Sequence, residues 1–524
     1  MRRIAGATTG GNGGGTRRRH LAPPSPAFVA GASVALLALL PFFFIVGESV
    51  HVGWPTAARL LFRPRMGELL INTALLIGTS LPACALLGLG AAWLVERTDL
   101  PGRRVWNLLL VAPLAVPAFV NSFGWVTWFG GRVEGFGGAA TVVTLSYFPL
   151  VYLPVVAALR GLDPALEESA RALGHGPART FLRAVVPQLR PALFGGLLLV
   201  ALHLLAEYGA LELLRFPTFT VAIFEQYQST FNGPAATMLA GVLVAICLLF
   251  LTLEALARGR ARYARIGAGA ARRVTLVRLG AATPLAIVAL LALLALALGV
   301  PLVSLARWLV ISRSTAFPLA EFAGVTARSL GLGLMGALVT LALALPVAWV
   351  AVRRRGAAAT LIERSTYLGH TLPGIVVALA LVTVAIRYAR PIYQTTALLL
   401  LAYAILFLPL AVVSIRAALA QAPPTLDEAA RALGARPLAV FCRVTLPLLA
   451  RGLGAGGTLV FLAVITELTA TLLLAPTGTV TLASRFWSHT NDVAYGAAAP
   501  YAVLMILLSA PTTFLLTRDA RRAR

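Results

Sequence analysis

Apolar residues in this chain run in long blocks, and the polar gaps between them are short and rich in arginine. Blocks dominated by Leu, Val, Ala and Phe occupy 28–47, 69–95, 106–129, 139–160, 190–211, 235–257, 283–304, 328–352, 366–387, 396–417, 453–475 and 495–517. Each approaches or exceeds the roughly 20 residues that a helix needs to cross a bilayer. The pattern predicts an all-α polytopic membrane protein with about twelve transmembrane helices. Two of the polar gaps are unusual. "EESARALGHGPARTFLRAVVPQLRPAL" (167–193) returns 260 positions later as "DEAARALGARPLAVFCRVTLPLLARGL" (427–453), with 12 identities in 27 aligned positions.

The repeat extends beyond these inserts. "AW" at 92–93 and Pro117 stand 24 residues apart, as do "AW" at 348–349 and Pro373. "AEYGALELL" (206–214) aligns with "TELTATLLL" (466–474), which sets Glu207 opposite Glu467. Repeats of one orientation imply two homologous six-helix halves related by an axis along the membrane normal. The expected organisation is a disordered basic arm (1–26), a first unit (27–257) with its insert at 163–187, and a basic linker (258–278). A second unit (279–517) with its insert at 423–447 and a short tail (518–524) follow.

Composition agrees with the block pattern. Of 524 residues 59% are hydrophobic and 12% charged, about half the charged share of a soluble domain. A net charge of +25 would suggest nucleic acid in a soluble protein. Here all 44 basic residues are arginine, clustered between apolar blocks, which fits the positive-inside rule instead. With a cytoplasmic N-terminus, the inside segments hold Arg17–Arg19, Arg97, Arg103, Arg104, both inserts, the linker, Arg353–Arg355 and the tail; Arg59, Arg63 and Arg65 are an outside exception. Both termini and both inserts are therefore expected in the cytoplasm. The run from Phe28 to Val46 is long for a signal peptide and lacks a small-residue cleavage site, so it reads as a retained first helix. Cys84, Cys247 and Cys442 lie far apart and suggest neither a disulfide framework nor a zinc site.

Each insert carries helix start and stop signals. Thr425 with Glu428 fits a capping box, and Asp163 before Pro164 fits an N-cap and first turn. Gly174 and Gly434 suit left-handed C-terminal caps, and Pro177 and Pro437 discourage continuation. A capped loop helix without a partner accounts for one copy; two copies point to a docking element.

The inserts resemble the cytoplasmic EAA loop of ABC-importer permeases: Glu-Ala-Ala, three residues, Gly, nine residues, Ile-x-Leu-Pro. The chain has Glu168-Ser169-Ala170, Gly174 and Ala184-Val185-Val186-Pro187, then Glu428-Ala429-Ala430, Gly434 and Val444-Thr445-Leu446-Pro447. The departures, Ser169 and the apolar exchanges before each proline, keep volume and polarity close. The resemblance implies a coupling helix in each loop, seated on an ATP-binding subunit through Glu168, Ala170, Gly174, Pro187 and Glu428, Ala430, Gly434, Pro447. It further implies two copies of that subunit, an extracytoplasmic solute-binding protein, surrounding membrane lipid and a bacterial inner-membrane location, with ATP on the partners and no cofactor on this chain. The chain has no lysine for a P-loop, and "GLGLMG" (331–336) inside an apolar block reads as small-residue helix packing rather than a dinucleotide site.

Ionisable residues within membrane blocks default to functional hypotheses. Glu207 and Glu467, with Tyr208 and Asn72, are the candidate translocation path; bracing of neighbouring helices is the other reading of the two carboxylates. His203, one turn before Glu207, and Asn121 are weaker polar candidates. No catalytic residue and no metal-ligand set is expected. The segments "AEYGALELLRFPTFTVAIF" and "TELTATLLLAPTGTVTLA" resemble fused iron(III) permeases dependent on a ferric-binding protein. Iron(III) favours hard oxygen ligands, and thiamine, phosphonate and polyamine permeases stay open as alternatives. An ion-coupled secondary transporter also uses duplicated halves and membrane carboxylates, but it has no need of the paired inserts. A membrane-embedded enzyme lacks a His, Asp and Glu cluster at one depth.

Overall fold

The computed structural model describes residues 26–162, 164–258, 276–311, 318–354 and 356–522. The predicted basic arm up to residue 25, Asp163, the body of the linker (259–275) and the last two tail residues lie outside the described residues. The first unit comprises α1 (Pro26–His51), α2 (Trp54–Leu61), α3 (Pro64–Arg97), α4 (Arg103–Leu109), α5 (Ala118–Phe129), α6 (Phe136–Tyr147) and α7 (Pro149–Gly161). It continues with α8 (Pro164–Ala172), α9 (Pro177–Thr180), α10 (Val186–Ala206), α11 (Gly209–Leu213), α12 (Phe219–Gln228) and α13 (Gly233–Arg258). The second comprises α14 (Thr283–Leu294), α15 (Val300–Ile311), α16 (Leu319–Arg353), α17 (Ala357–Thr371), α18 (Gly374–Tyr388) and α19 (Thr396–Gln421). There follow α20 (Pro424–Ala432), α21 (Pro437–Val440), α22 (Leu446–Ile465), α23 (Thr469–Leu474), α24 (Leu482–Asn491) and α25 (Tyr495–Arg522).

Among the described residues nine helices are long and apolar enough to cross a bilayer, or eleven if each of two bent pairs is one span. The bent pairs correct two of the twelve predicted blocks. Block 106–129 folds by 88° between Arg103–Ala115 and Ala118–Val133, and block 366–387 by 101° between Ala357–Gly369 and Gly374–Tyr388. The cause is the repeated proline. Val116 and Leu372, just before Pro117 and Pro373, are extended, as the proline ring requires of the residue ahead of it, and each proline then opens a new helix. Blocks 190–211 and 453–475 also stop short, at Ala206 and Ile465, where the chain unwinds around Glu207 and Glu467.

Each unit is built on a three-helix core, α3, α7 and α10 in the first and α16, α19 and α22 in the second. Gly333 and Gly336 of "GLGLMG" let α16 press on Phe461 and Val464 of α22, which is the close packing predicted for that motif. The first helices are exchanged. α1 packs on α16 and α17 of the second unit, and α15 packs on α5 of the first. At the latter crossing a side chain on Gly124 would meet the Pro301 backbone at 2.5 Å, so only glycine fits. The surface carries exposed Leu36, Leu86, Leu334 and Leu338, an arrangement that a lipid environment satisfies and water would not.

Candidate functional site

The two inserts fold alike. In each, a polar helix (α8, α20) turns at a glycine into a short helix (α9, α21), then a five-residue π turn (Phe181–Val185, Phe441–Thr445), then the long α10 or α22. Gly174 and Gly434 both have φ of +83°, and the amides of His175 and Ala435 bond back to the carbonyls of Ala170 and Ala430 at 3.2 and 3.1 Å. That is the predicted left-handed cap. Two details differ from expectation. Thr425 does not cap α20: the helix begins one residue earlier, because Pro424 with its fixed φ takes the first position behind Pro423, and no capping box forms. Pro437 likewise starts α21 rather than merely ending α20, and Pro177 stands at the start of α9. Glu168, Glu428, Gly174 and Gly434 are exposed, Ala170, Ala430 and Pro187 are half-buried, and Pro447 is exposed. Beside each capping glycine stands a leucine in the open, Leu173 at 79% and Leu433 at 89% exposure.

The sequence pattern does not show what anchors these elements. The acid one position before each motif glutamate turns inward and meets the arginine that ends the long preceding helix. Arg97 pairs with Glu167 at 3.0 Å and Arg353 with Asp427 at 3.2 Å. All four side chains are largely buried. Arg97 also donates to the Leu159 carbonyl at 3.0 Å, and the Thr445 hydroxyl to Asp427 at 2.9 Å. A second contact repeats alongside: the tryptophans of the two "AW" pairs, Trp93 and Trp349, pack on Phe181 and Phe441 with ring centres 5.7 and 6.2 Å apart. Among the described residues each insert is thus fastened to α3 or α16 by an ion pair and an aromatic pair. Beyond them, Arg160 bonds Glu96 at 3.0 Å while its counterpart Arg416 bonds Glu363. The arginine is kept and its acid sits on a different helix. The only sequence signal was arithmetic: Arg97 and Arg353 lie 256 apart, the same spacing as the two "AW" pairs.

Further along the molecule the unwound points of α10 and α22 face one cavity of about 360 Å³, lined by Glu207 and Glu467 together with Tyr147, His203, Tyr208 and Thr466. The two carboxylates play the same local part. Oε1 of Glu207 accepts the Ala210 amide at 2.9 Å and Oε1 of Glu467 the Ala470 amide at 2.7 Å, so each caps the short helix that follows. The Tyr147 hydroxyl donates to the other oxygen of Glu207. His203 directs Nδ1 at the Leu199 carbonyl, 2.8 Å away, and its ring packs on Tyr147.

Tyr208 borders this cavity and also a wider vestibule of about 950 Å³ that holds Glu212, Glu225, Gln228, Asn491 and Asp492. Its ring lies 4.4 Å from Phe224 and 5.4 Å from Trp487, centre to centre, so aromatic side chains of both units stand between the two spaces. Asn72 is elsewhere: its amide donates to the Pro217 carbonyl at 3.0 Å, tying α3 to the loop before α12, and it is not among the residues lining either space. Asn121 sits behind the cavity wall, bonded to Ser146 at 2.8 Å.

Residues 85–263 and again 341–524 match the family described as binding-protein-dependent transport system inner membrane component. The Fe(3+)-transport system permease protein FbpB 2 of Haemophilus influenzae is 39% identical over 504 residues, 95% of this chain and 99% of that protein. The sulfate transport system permease protein CysT of Escherichia coli is 28% identical over 238 residues, 42% of this chain and 86% of that protein. CysW of Synechocystis, also a sulfate transport system permease protein, is 29% identical over 241 residues, with the same coverage.

Proposed function

The chain belongs to the family of binding-protein-dependent transport system inner membrane components, and from that premise we propose that it carries iron(III) across a bacterial inner membrane. It is the transmembrane permease subunit of an ABC importer, a multi-pass membrane protein with an internal duplication. Membership implies a cognate ATPase and a solute-binding protein as partners. The iron reading rests on one observation above all: equivalent carboxylates of the two units, Glu207 and Glu467, line one cavity. Carboxylate oxygens suit a hard trivalent cation, and they repel a divalent anion. The sulfate permeases therefore share the scaffold, and the full-length resemblance to a permease named for Fe(3+) supports the cargo.

The same reading assigns an end to each partner. The capped inserts of units 27–257 and 279–517 each receive one ATP-binding subunit, whose groove covers Leu173 or Leu433 while Glu168 and Glu428 meet its polar rim. Arginine asymmetry supports a cytoplasmic position for both inserts and both termini. The vestibule beyond Tyr208 then opens outward, toward the solute-binding protein. Its acidic residues, Glu212, Glu225 and Asp492, suit a cation leaving that protein. The test is uptake into proteoliposomes by the chain assembled with its ATPase and binding protein. ATP-dependent accumulation of iron(III), with none of thiamine or sulfate, is expected. Accumulation of either of those without iron would overturn the reading.

A further inference from the structure

Glu207 and Glu467 occupy equivalent positions but are not equally engaged. Glu207 is closed on itself: one oxygen takes the Ala210 amide, the other the Tyr147 hydroxyl. Glu467 is held by backbone amides alone, those of Ala470 at 2.7 Å and neighbouring Thr469, and no side chain among the described residues donates to it. Yet its unit has the matching tyrosine, Tyr403, 256 positions after Tyr147.

The cause is a single hydroxyl. Thr471, where the first unit has Leu211, gives its one proton to the Glu467 carbonyl at 2.8 Å. Its oxygen is then left to accept, and Tyr403 donates to it at 2.7 Å. A tyrosine has one proton to donate, so Tyr403 has none for the Glu467 carboxylate. In the first unit the Glu207 carbonyl is served from another helix, by Thr220 of α12 at 2.6 Å; the residue at the same place after the N-cap of α24 is Ala483, which has no hydroxyl. The pairs Leu211/Thr471 and Thr220/Ala483 therefore exchange the donor to the carbonyl, and in doing so they release one carboxylate and not the other.

We propose that Glu467 is the carboxylate that meets the translocating cation, while Glu207, locked by Tyr147, positions the broken helix beside it. The assignment rests on the permease reading and goes beyond it by separating two residues that symmetry would make alike. The experiment uses the chain with its ATPase and an iron(III)-loaded binding protein in proteoliposomes, recording initial uptake and ATPase rate per inserted complex. Glu467→Gln is expected to lower uptake about tenfold further than Glu207→Gln does, the worth of one strong contact to a charged group, with stimulated ATPase retained. Thr471→Leu rebuilds the first unit's arrangement around Tyr403 and should depress uptake as well. Adding Tyr403→Phe to Thr471→Leu removes the competing donor and should restore uptake, which a purely structural role for these residues would not do. Equal losses in the two glutamate variants, or full uptake in Thr471→Leu, would overturn the division of labour and leave the permease reading standing. An unaltered assembly that moves no iron(III) would overturn both.

Discussion

Arg353 and Asp427 define what a single side chain contributes here. Both are largely buried, so Arg353→Ala strands a carboxylate where water cannot reach it, at a cost of about 3–5 kcal/mol. Arg97→Ala is expected to cost as much through Glu167. Each variant should unfold at lower temperature in detergent, and binding-protein-stimulated ATPase should fall more than basal ATPase, because the insert is no longer fixed to α16 or α3. Unchanged stimulation in the double variant would show that the ion pairs carry no part of the coupling. Residues of this kind escape sequence reading for a physical reason. An arginine closing an apolar block is explained by topology alone, and nothing in the block says that it folds back on an acid about 70 positions later (Arg97 to Glu167). Glu207 and Glu467 were legible because an acid in an apolar block has no such default explanation. Their unequal bonding was not legible, since it turns on the direction of a threonine proton.

The elements show where periodicity stops informing. Block lengths locate most helices, yet they run straight through the folds at Pro117 and Pro373, because a proline in an apolar run can equally kink a helix or end it. The π turns at Phe181–Val185 and Phe441–Thr445 left no trace in the pattern, for each amounts to one extra residue in a helix. A π turn absorbs that residue, so the insert keeps its rotation relative to the membrane helix. One residue added to regular helix is not absorbed: an alanine inserted between Leu448 and Leu449 of α22 should turn α20 and α21 by about 100° relative to the rest of α22. Solute moved per ATP should drop while membrane insertion persists; an unaltered ratio would mean that the rotation is not transmitted.

At the scale of the whole molecule, the crossing of α5 and α15 joins the units where a side chain has no room. Gly124→Leu places atoms where the Pro301 backbone already stands, with overpacking of about 1–3 kcal/mol or more. The expected outcome is less monodisperse protein on size-exclusion chromatography in detergent, with no change in the ATPase of separately purified partner. A normal elution profile and normal uptake would count against a tight crossing.

The exchange of first helices has a consequence for how such a protein changes over generations. Each unit completes its packing with a helix from the other, so two copies of the first unit would present α1 to α3 and α4, the counterparts of α16 and α17, whose side chains differ from those it meets here. Correct pairing is written into the surfaces, and a single chain fixes it at one to one. Once neither unit ever has to stand in for the other, duplicated positions are released from having to serve both places. A leucine on one side and a threonine on the other, Leu211 and Thr471, can then drift apart without any like-with-like pairing to punish the difference. Fusion in this chain is thus a licence for asymmetry, and its cavity holds one carboxylate bonded by a tyrosine and one bonded by backbone amides alone.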